Sequence, residues 1–331
     1  MTGQSFDWYS PGKDISQGYI FNFVIGGRGI GKSYGFLKWA VEEVKTILYL
    51  RRTDTELKLT VSQDMNPFKP INEDCGRDIQ IKQAGKVIRI MEGDTLRGYA
   101  GALSTFHNLR SADFSGVDTI IFDEFIPQQT ARPLTHEAEA FFNLYETVNR
   151  NRELKGREPV RCYFLSNAVS IVSPILSYLD LVGVLEKMIG KNREYWTDAK
   201  RSILIHLPAD PRFQRVKEQT ALYKLLPDTQ FTEHAINNRF AYDSFYNVRS
   251  RPLKEYTPVV AYDGLFVYRH KTGGSWYVCR ARADCPTFTA DTKNGFLRNY
   301  GLYLRDDIIA DRVSFSDFAA KKAIYDLLTL T

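Results

Sequence analysis

The chain has 331 residues, enough for one large or two ordinary domains. Apolar residues make up 44% and charged residues 25%, the balance of a folded globular protein, which excludes wholesale disorder. The net charge of +5, from 44 basic and 39 acidic residues, permits a nucleic-acid partner without arguing for one.

The N-terminal stretch MTGQSFDWYSPGKD lacks the basic-then-apolar layout of a secretion signal. No apolar run reaches the roughly 18 residues that span a bilayer. The expectation is a protein that has no membrane partner and stays in the cytosol where it is made. Tyr19 to Gly26, YIFNFVIG, reads as a buried strand: short, β-branched and aromatic, closing on glycines. After Ser33 the apolar spacing changes. Leu37, Ala40, Val41 and Val44 fall on one face of a helix. Thr46 to Leu50, TILYL, is a second buried strand, followed by Arg51 and Arg52. Strand, glycine loop, helix and strand in succession predict a parallel βαβ unit.

IQIKQAGKVIRI predicts a hairpin that turns at Gln83-Ala84-Gly85-Lys86. VDTIIFDEF is a third buried strand, ending in acids. A helix is predicted over about Thr135 to Asn149, with Phe141, Leu144, Tyr145 and Val148 inward. VRCYFLSNA is a fourth buried strand. From Lys191 to Leu226 there are eight Lys/Arg against four Asp/Glu, and prolines flank a short amphipathic segment. This reads as a small helical linker. Beyond it, YTPVVAYDGLFVYRHKTGGSWYVCRA shows strand-like runs with a Thr-Gly-Gly turn, and SDFAAKKAIYDLLTL a closing helix. The expected division is 1–207, 208–235 and 236–331. Cys75, Cys162, Cys279 and Cys285 are scattered, with no Cys-x-x-Cys, and predict free thiols and no zinc site.

The chemistry concentrates at Gly26-Gly27-Arg28-Gly29-Ile30-Gly31-Lys32-Ser33. This satisfies G-x-x-x-x-G-K-[ST] between a strand and a helix, the context the motif needs. Glycines let backbone N–H groups turn inward around phosphate oxygens. Lys32 would reach the β- and γ-phosphates of ATP, and the Ser33 hydroxyl would bind Mg²⁺. The phosphate-binding set therefore runs from Gly26 through Tyr34. Asp123, ending a buried strand, suits the Mg²⁺ shell, and Glu124 suits polarising a water for attack on the γ-phosphate. The adjacent glutamate points to hydrolysis by a motor-type ATPase, with an extra strand between the two motifs. No Asn-Lys-x-Asp base-reading motif of GTP switches is present.

Arg150 and Arg152 close the predicted helix. They either complement its dipole or act as an arginine finger in a neighbouring subunit's site, and Arg110 is a second candidate. Asn167, at a strand end, is placed to sense the γ-phosphate or hold water, or else caps a turn. Arg51 and Arg52 either report nucleotide state or form a surface ion pair.

NFVIGGRGIGKSY, YLRRTDTEL, TIIFDEF, ETVNRNRE and VRCYFLSNAVS occur in an order and spacing that resembles the DNA-packaging (encapsidation) ATPases of phi29-like tailed phages. The likeness covers residues 19 to 180. It implies a P-loop α/β core of the additional-strand, catalytic-glutamate type, a short linker and a C-terminal α+β domain similar to an RNase H-type nuclease without its activity. It implies ATP-driven translocation of double-stranded DNA into a prohead by a homomeric ring, typically a pentamer, at the portal vertex in the host cytoplasm. Lys32, Ser33, Asp123 and Glu124 then match the hydrolytic set. Arg150 matches the trans-acting finger, Arg110 a second basic trans position, and Asn167 the polar strand-end position. In some relatives the C-terminal domain docks on a packaging RNA, for which Arg249, Arg251 and Lys254 are candidates, with DNA or solvent as alternatives.

Three other readings stay open on sequence alone. They are a cellular ring helicase or DNA pump, a nucleotide-bound virion structural protein without turnover, and an active nuclease using Asp263, Asp284 and Asp291.

Overall fold

The computed structural model describes residues 8–61, 65–84, 87–109, 113–127, 134, 136–209, 211–225 and 247–329. The chain divides into two units, Met1–Tyr178 with Met188–Tyr242, and Leu179–Lys187 with Asp243–Thr331.

The first unit is built on a nine-stranded sheet. In chain order its strands are β1 (Phe21–Gly26), β2 (Ile47–Arg51), β3 (Ile79–Ala84), β4 (Val87–Glu92), β5 (Thr95–Ala102), β6 (Thr119–Asp123), β7 (Arg161–Asn167), β8 (Tyr195–Asp198) and β9 (Ile203–His206). Their spatial order is β3-β4-β5-β2-β6-β7-β1-β9-β8. β5, β2, β6, β7, β1 and β9 pair in parallel, while β4 pairs antiparallel to β5, β3 to β4, and β8 to β9. β1 and β2 run parallel as expected, but β6 and β7 lie between them, so the predicted βαβ unit is a wide crossover. β7 is the extra strand separating the phosphate-loop strand from the acid-ending strand.

Alternation along each strand sends successive side chains to opposite faces. Ile121 packs in the cluster with Phe36, Leu37 and Val41 of the helix Lys32–Glu42. Phe122 turns the other way and stacks on Phe141 of the helix Glu137–Asn149, with ring centroids 5.7 Å apart. The sheet is thus sandwiched between helices, and Phe23 and Phe164 stack at 4.3 Å within its second face. Val44, predicted on the buried helix face, is 66% exposed. The helix ends at Glu42, and Val44 turns away in a left-handed conformation. In the second helix Phe141, Leu144 and Val148 are buried and Tyr145 half-buried.

Gly98 fixes the contact between β5 and β2. Its φ is +148°, and a Cβ there would lie 2.0 Å from the Ile47 carbonyl oxygen. Gly98→Ala should destabilise the protein by about 3 kcal/mol in a urea melt, through backbone clash and strain. The β3 edge begins under side-chain cover. Asn72 donates to the Ile79 carbonyl at 2.9 Å and accepts from its amide at 2.9 Å, and Asn66 adds a second donor at 2.9 Å.

The second unit carries a five-stranded sheet ordered β13-β10-β11-β12-β14. These are β10 (Tyr256–Tyr262), β11 (Leu265–His270), β12 (Trp276–Cys279), β13 (Thr287–Phe288) and β14 (Val313–Phe315). The first three form an antiparallel meander, flanked by parallel pairings of β13 with β10 and β14 with β12. The closing helix, Phe318–Leu327, is capped by the Asp317 carboxylate, which accepts from the Ala320 amide at 2.7 Å. Asp263, Asp284 and Asp291 are all exposed, and no group of three or more His, Cys, Asp or Glu suited to a metal occurs among the described residues.

Candidate functional site: a phosphate loop facing two strand-end acids

The site forms where β1, β6 and β7 end side by side. Gly26 pairs with Asn167 across β1 and β7, and Asp123 pairs with Leu165 across β6 and β7. The loop after β1 thus lies beside the tips of both neighbouring motifs. Gly31 takes φ +94° at the N-cap of the helix Lys32–Glu42, a left-handed turn that glycine makes without strain. A cavity of about 300 Å³ opens here, walled by Gly29, Gly31, Lys32, Ser33, Asp123 and Glu124. Arg28, Tyr34, Ser166 and Asn167 complete it.

Lys32 is buried. Its Nζ donates to the carbonyls of Gly26 at 3.1 Å and Gly27 at 2.8 Å, and to Asn167 Oδ1 at 3.4 Å. Burial lowers its pKa to about 7, against the pull of Asp123. Ile30 turns its side chain inward, and its carbonyl accepts the Tyr9 amide at 3.0 Å. Tyr9 in turn donates to Asp14, whose carboxylate pairs with His206 Nδ1 at 2.9 Å, anchoring the N-terminal segment to the loop. The Tyr34 hydroxyl donates to Asp74 at 2.6 Å.

Ser33 Oγ donates to Asp123 Oδ1 at 2.8 Å. The other carboxylate oxygen accepts from the Tyr49 hydroxyl at 3.0 Å and Arg51 Nη1 at 3.3 Å. A hydroxyl and a pre-oriented carboxylate oxygen on one cavity wall are the hard oxygen donors that Mg²⁺ takes alongside phosphates and water. These residues therefore fit that ion. Glu124 leaves β6 with φ +55°, a left-handed conformation that costs a bulky residue energy and aims its side chain off the strand. Its Oε2 accepts from Arg51 Nη2 at 2.7 Å, and 42% of the side chain is exposed.

Arg51 therefore bridges both acids from the tip of β2, with Glu56 4.0 Å from its Nε, so the ion pairing that was one of its two sequence readings is present and is made with the site's own acids. Arg52 points the opposite way, only 1% exposed, with Nε between the Glu137 oxygens at 3.0 and 2.9 Å. The sequence reading missed Tyr49 as a partner of Asp123. The signal was present: Tyr49 and Arg51, two apart on a strand, share a face. What was lacking was the knowledge that β6 is the neighbour of β2.

The arginines separate clearly. Arg152 is buried, and its Nη2 donates to the carbonyls of Ser115, at 2.9 Å, and Val117. It ties down the turn before β6 instead of reaching outward. Arg150 is exposed at the helix C-cap with φ +41°, 4.0 Å from Asp113, and does not line its own chain's cavity. Arg110 lies outside the described residues.

Comparison with known proteins gives the family and the fold. A family model described as the podovirus DNA encapsidation protein (Gp16) matches residues 4–294. The DNA packaging protein of Bacillus phage PZA is 33% identical over 300 residues, covering 87% of this chain and 84% of its own. The N-terminal domain of the DNA packaging ATPase from bacteriophage phi29 superposes with a TM-score of 0.52 at 32% identity, covering 62% of this chain and 98% of that one. A chain of the bacteriophage phi29 viral genome packaging motor assembly matches with a TM-score of 0.70 at 27% identity, over 97% of this chain and 98% of that one. A phosphate loop beside an acid pair, on a fold shared with these proteins and a family match spanning most of its length, makes this chain a member of the podovirus DNA encapsidation protein (Gp16) family.

Proposed function

We propose that the chain is the ATP-hydrolysing subunit of a viral DNA-packaging motor. The observation that carries this is the facing of Lys32 and Ser33 by Asp123 and Glu124 across one cavity. Inward loop amides seat the triphosphate. Lys32 exchanges the Gly26 and Gly27 carbonyls for phosphate oxygens, whose negative charge favours its ammonium form against burial. Ser33 and Asp123 would hold Mg²⁺, whose charge, when bound, offsets that of the phosphate oxygens. Glu124 takes the proton of the attacking water, and Arg51 orients it. Asn167, already in reach of Lys32, is placed beside the terminal phosphate.

Arg150 completes the site of a neighbouring copy, because it stands on the surface away from its own cavity. Copies therefore work as a ring, a pentamer in this proposal, at the portal vertex of a prohead in the host cytoplasm. A packaging RNA is a further partner for the second unit. The ring moves double-stranded DNA by gripping phosphates, which carry no sequence information and suit a motor that must move any genome.

Phosphate release by the purified protein, with and without DNA and proheads, tests the reading. Turnover per subunit should rise with protein concentration, and Lys32→Ala should abolish it. Arg150→Ala protein mixed into wild type should depress turnover more than in proportion to its share, since a trans finger is worth about 10³–10⁵ in rate. Full turnover by a dilute Arg150→Ala monomer would overturn the trans assignment.

A further inference from the structure

Three successive carbonyls of the phosphate loop face ammonium groups. Lys32 takes those of Gly26 and Gly27, and Lys217 donates to that of Arg28. Lys217 stands on the helix Pro211–Glu218, inside the stretch that the sequence marks as linker. Its Nζ lies over the rings of Phe213, at 5.3 Å, and Tyr223, at 5.2 Å. The same stretch meets the loop twice more. A Cβ added to Gly26 would fall 2.8 Å from Pro208 Cγ, and one added to Gly29 would fall 3.9 Å from Phe213 Cζ.

Peptide planarity gives the Lys217 contact a chemical meaning. A carbonyl and the next residue's N–H point in opposite directions from one plane. With the Arg28 carbonyl drawn toward Lys217, the Gly29 N–H is turned the other way, and Gly29 lines the cavity. A peptide unit next to glycine can flip at little steric cost, so this orientation needs holding. In a phosphate nest it is the N–H orientation that binds.

We propose that Lys217 is a positioning residue for the nucleotide site: it holds the Arg28–Gly29 peptide so that the Gly29 amide is offered to a phosphate oxygen. Nucleotide affinity is thereby tied to the seating of the helix Pro211–Glu218 on the loop. This rests on the ATP-binding reading above.

The test is binding of ADP and of inorganic tripolyphosphate to the full chain by calorimetry. Lys217→Met keeps an unbranched apolar side chain and removes the donor. It should weaken both ligands about tenfold, the scale of one hydrogen bond from a charged donor. Lys217→Arg should stay within about threefold of wild type, and so should Phe213→Leu, which removes a ring but leaves the ammonium. Undiminished tripolyphosphate binding by Lys217→Met would overturn the proposal. So would a loss in Phe213→Leu as large as in Lys217→Met, since packing alone would then be responsible. If Lys217→Met does not fold, hydrogen exchange on the wild type decides. ADP should slow exchange in residues 211–218 together with 26–33, and protection confined to 26–33 would overturn the brace. Absence of binding by the wild type itself is a different result, and sinks the ATP reading on which the brace depends.

Discussion

Glu124→Gln should bind ATP with nearly wild-type affinity and release phosphate about 10²–10⁴-fold more slowly, the usual worth of a positioned general base. The substitution keeps shape and an acceptor oxygen for Arg51 Nη2, now 2.7 Å from the carboxylate, but removes the capacity to take a proton. Loss in kcat without loss of binding marks an interaction used only in the chemical step. Measuring phosphate release under saturating ATP, alongside nucleotide affinity, checks both halves. Turnover within about threefold of wild type would show that another group takes the proton. Weakened binding with unchanged kcat would place Glu124 among the binding residues instead.

The largest stability effect is expected at Arg52 and Glu137, side chains 1% and 0% exposed. Burial pushes the Glu137 carboxyl up, against the pull of Arg52. Removing either partner leaves the other charge buried without its counter-ion, a loss of about 3–5 kcal/mol. Arg52→Met and Glu137→Leu should each lower the melting temperature by about 10 °C for a unit of this size. The double substitution should recover much of that loss, because an apolar pair of similar volume replaces a buried ion pair at little net cost. Strict additivity of the two single effects would show that the pair is not coupled. The pair joins the start of the helix Glu137–Asn149 to the tip of β2, next to the residue that grips Glu124. Its loss should therefore also lower turnover.

Local chemistry made much of the site legible. The run from Gly26 to Ser33 matches G-x-x-x-x-G-K-[ST] in a few adjacent residues, and the structure sets it beside Asp123 and Glu124. Strands such as Thr119–Asp123, TIIFD, were readable because burial on both faces demands an unbroken apolar run. What stayed hidden depends on partners distant in sequence. Arg51 and Arg52 are neighbours with the same side chain, yet one holds the acid pair and the other is buried on Glu137. Only the sheet order and the strand's alternation separate them. Arg152 reads as a surface cation beside Arg150 until the turn at Ser115–Val117 is folded over it. β8 and β9 escaped because they are four residues each, too short for periodicity to declare them. The role of Lys217 lies in a backbone carbonyl nearly two hundred residues away, and no spacing rule reaches that far.

Asn72 has a consequence for life among many copies. A chain that gathers with others like itself brings bare strand borders together at high local concentration, the circumstance in which sheets fuse. At Ile79 the first rung of such a ladder is already taken, since one carboxamide occupies both its amide and its carbonyl. An approaching strand would meet the Asn72 side chain there and not a bare backbone pair, so any association of copies along this border would have to begin further along it.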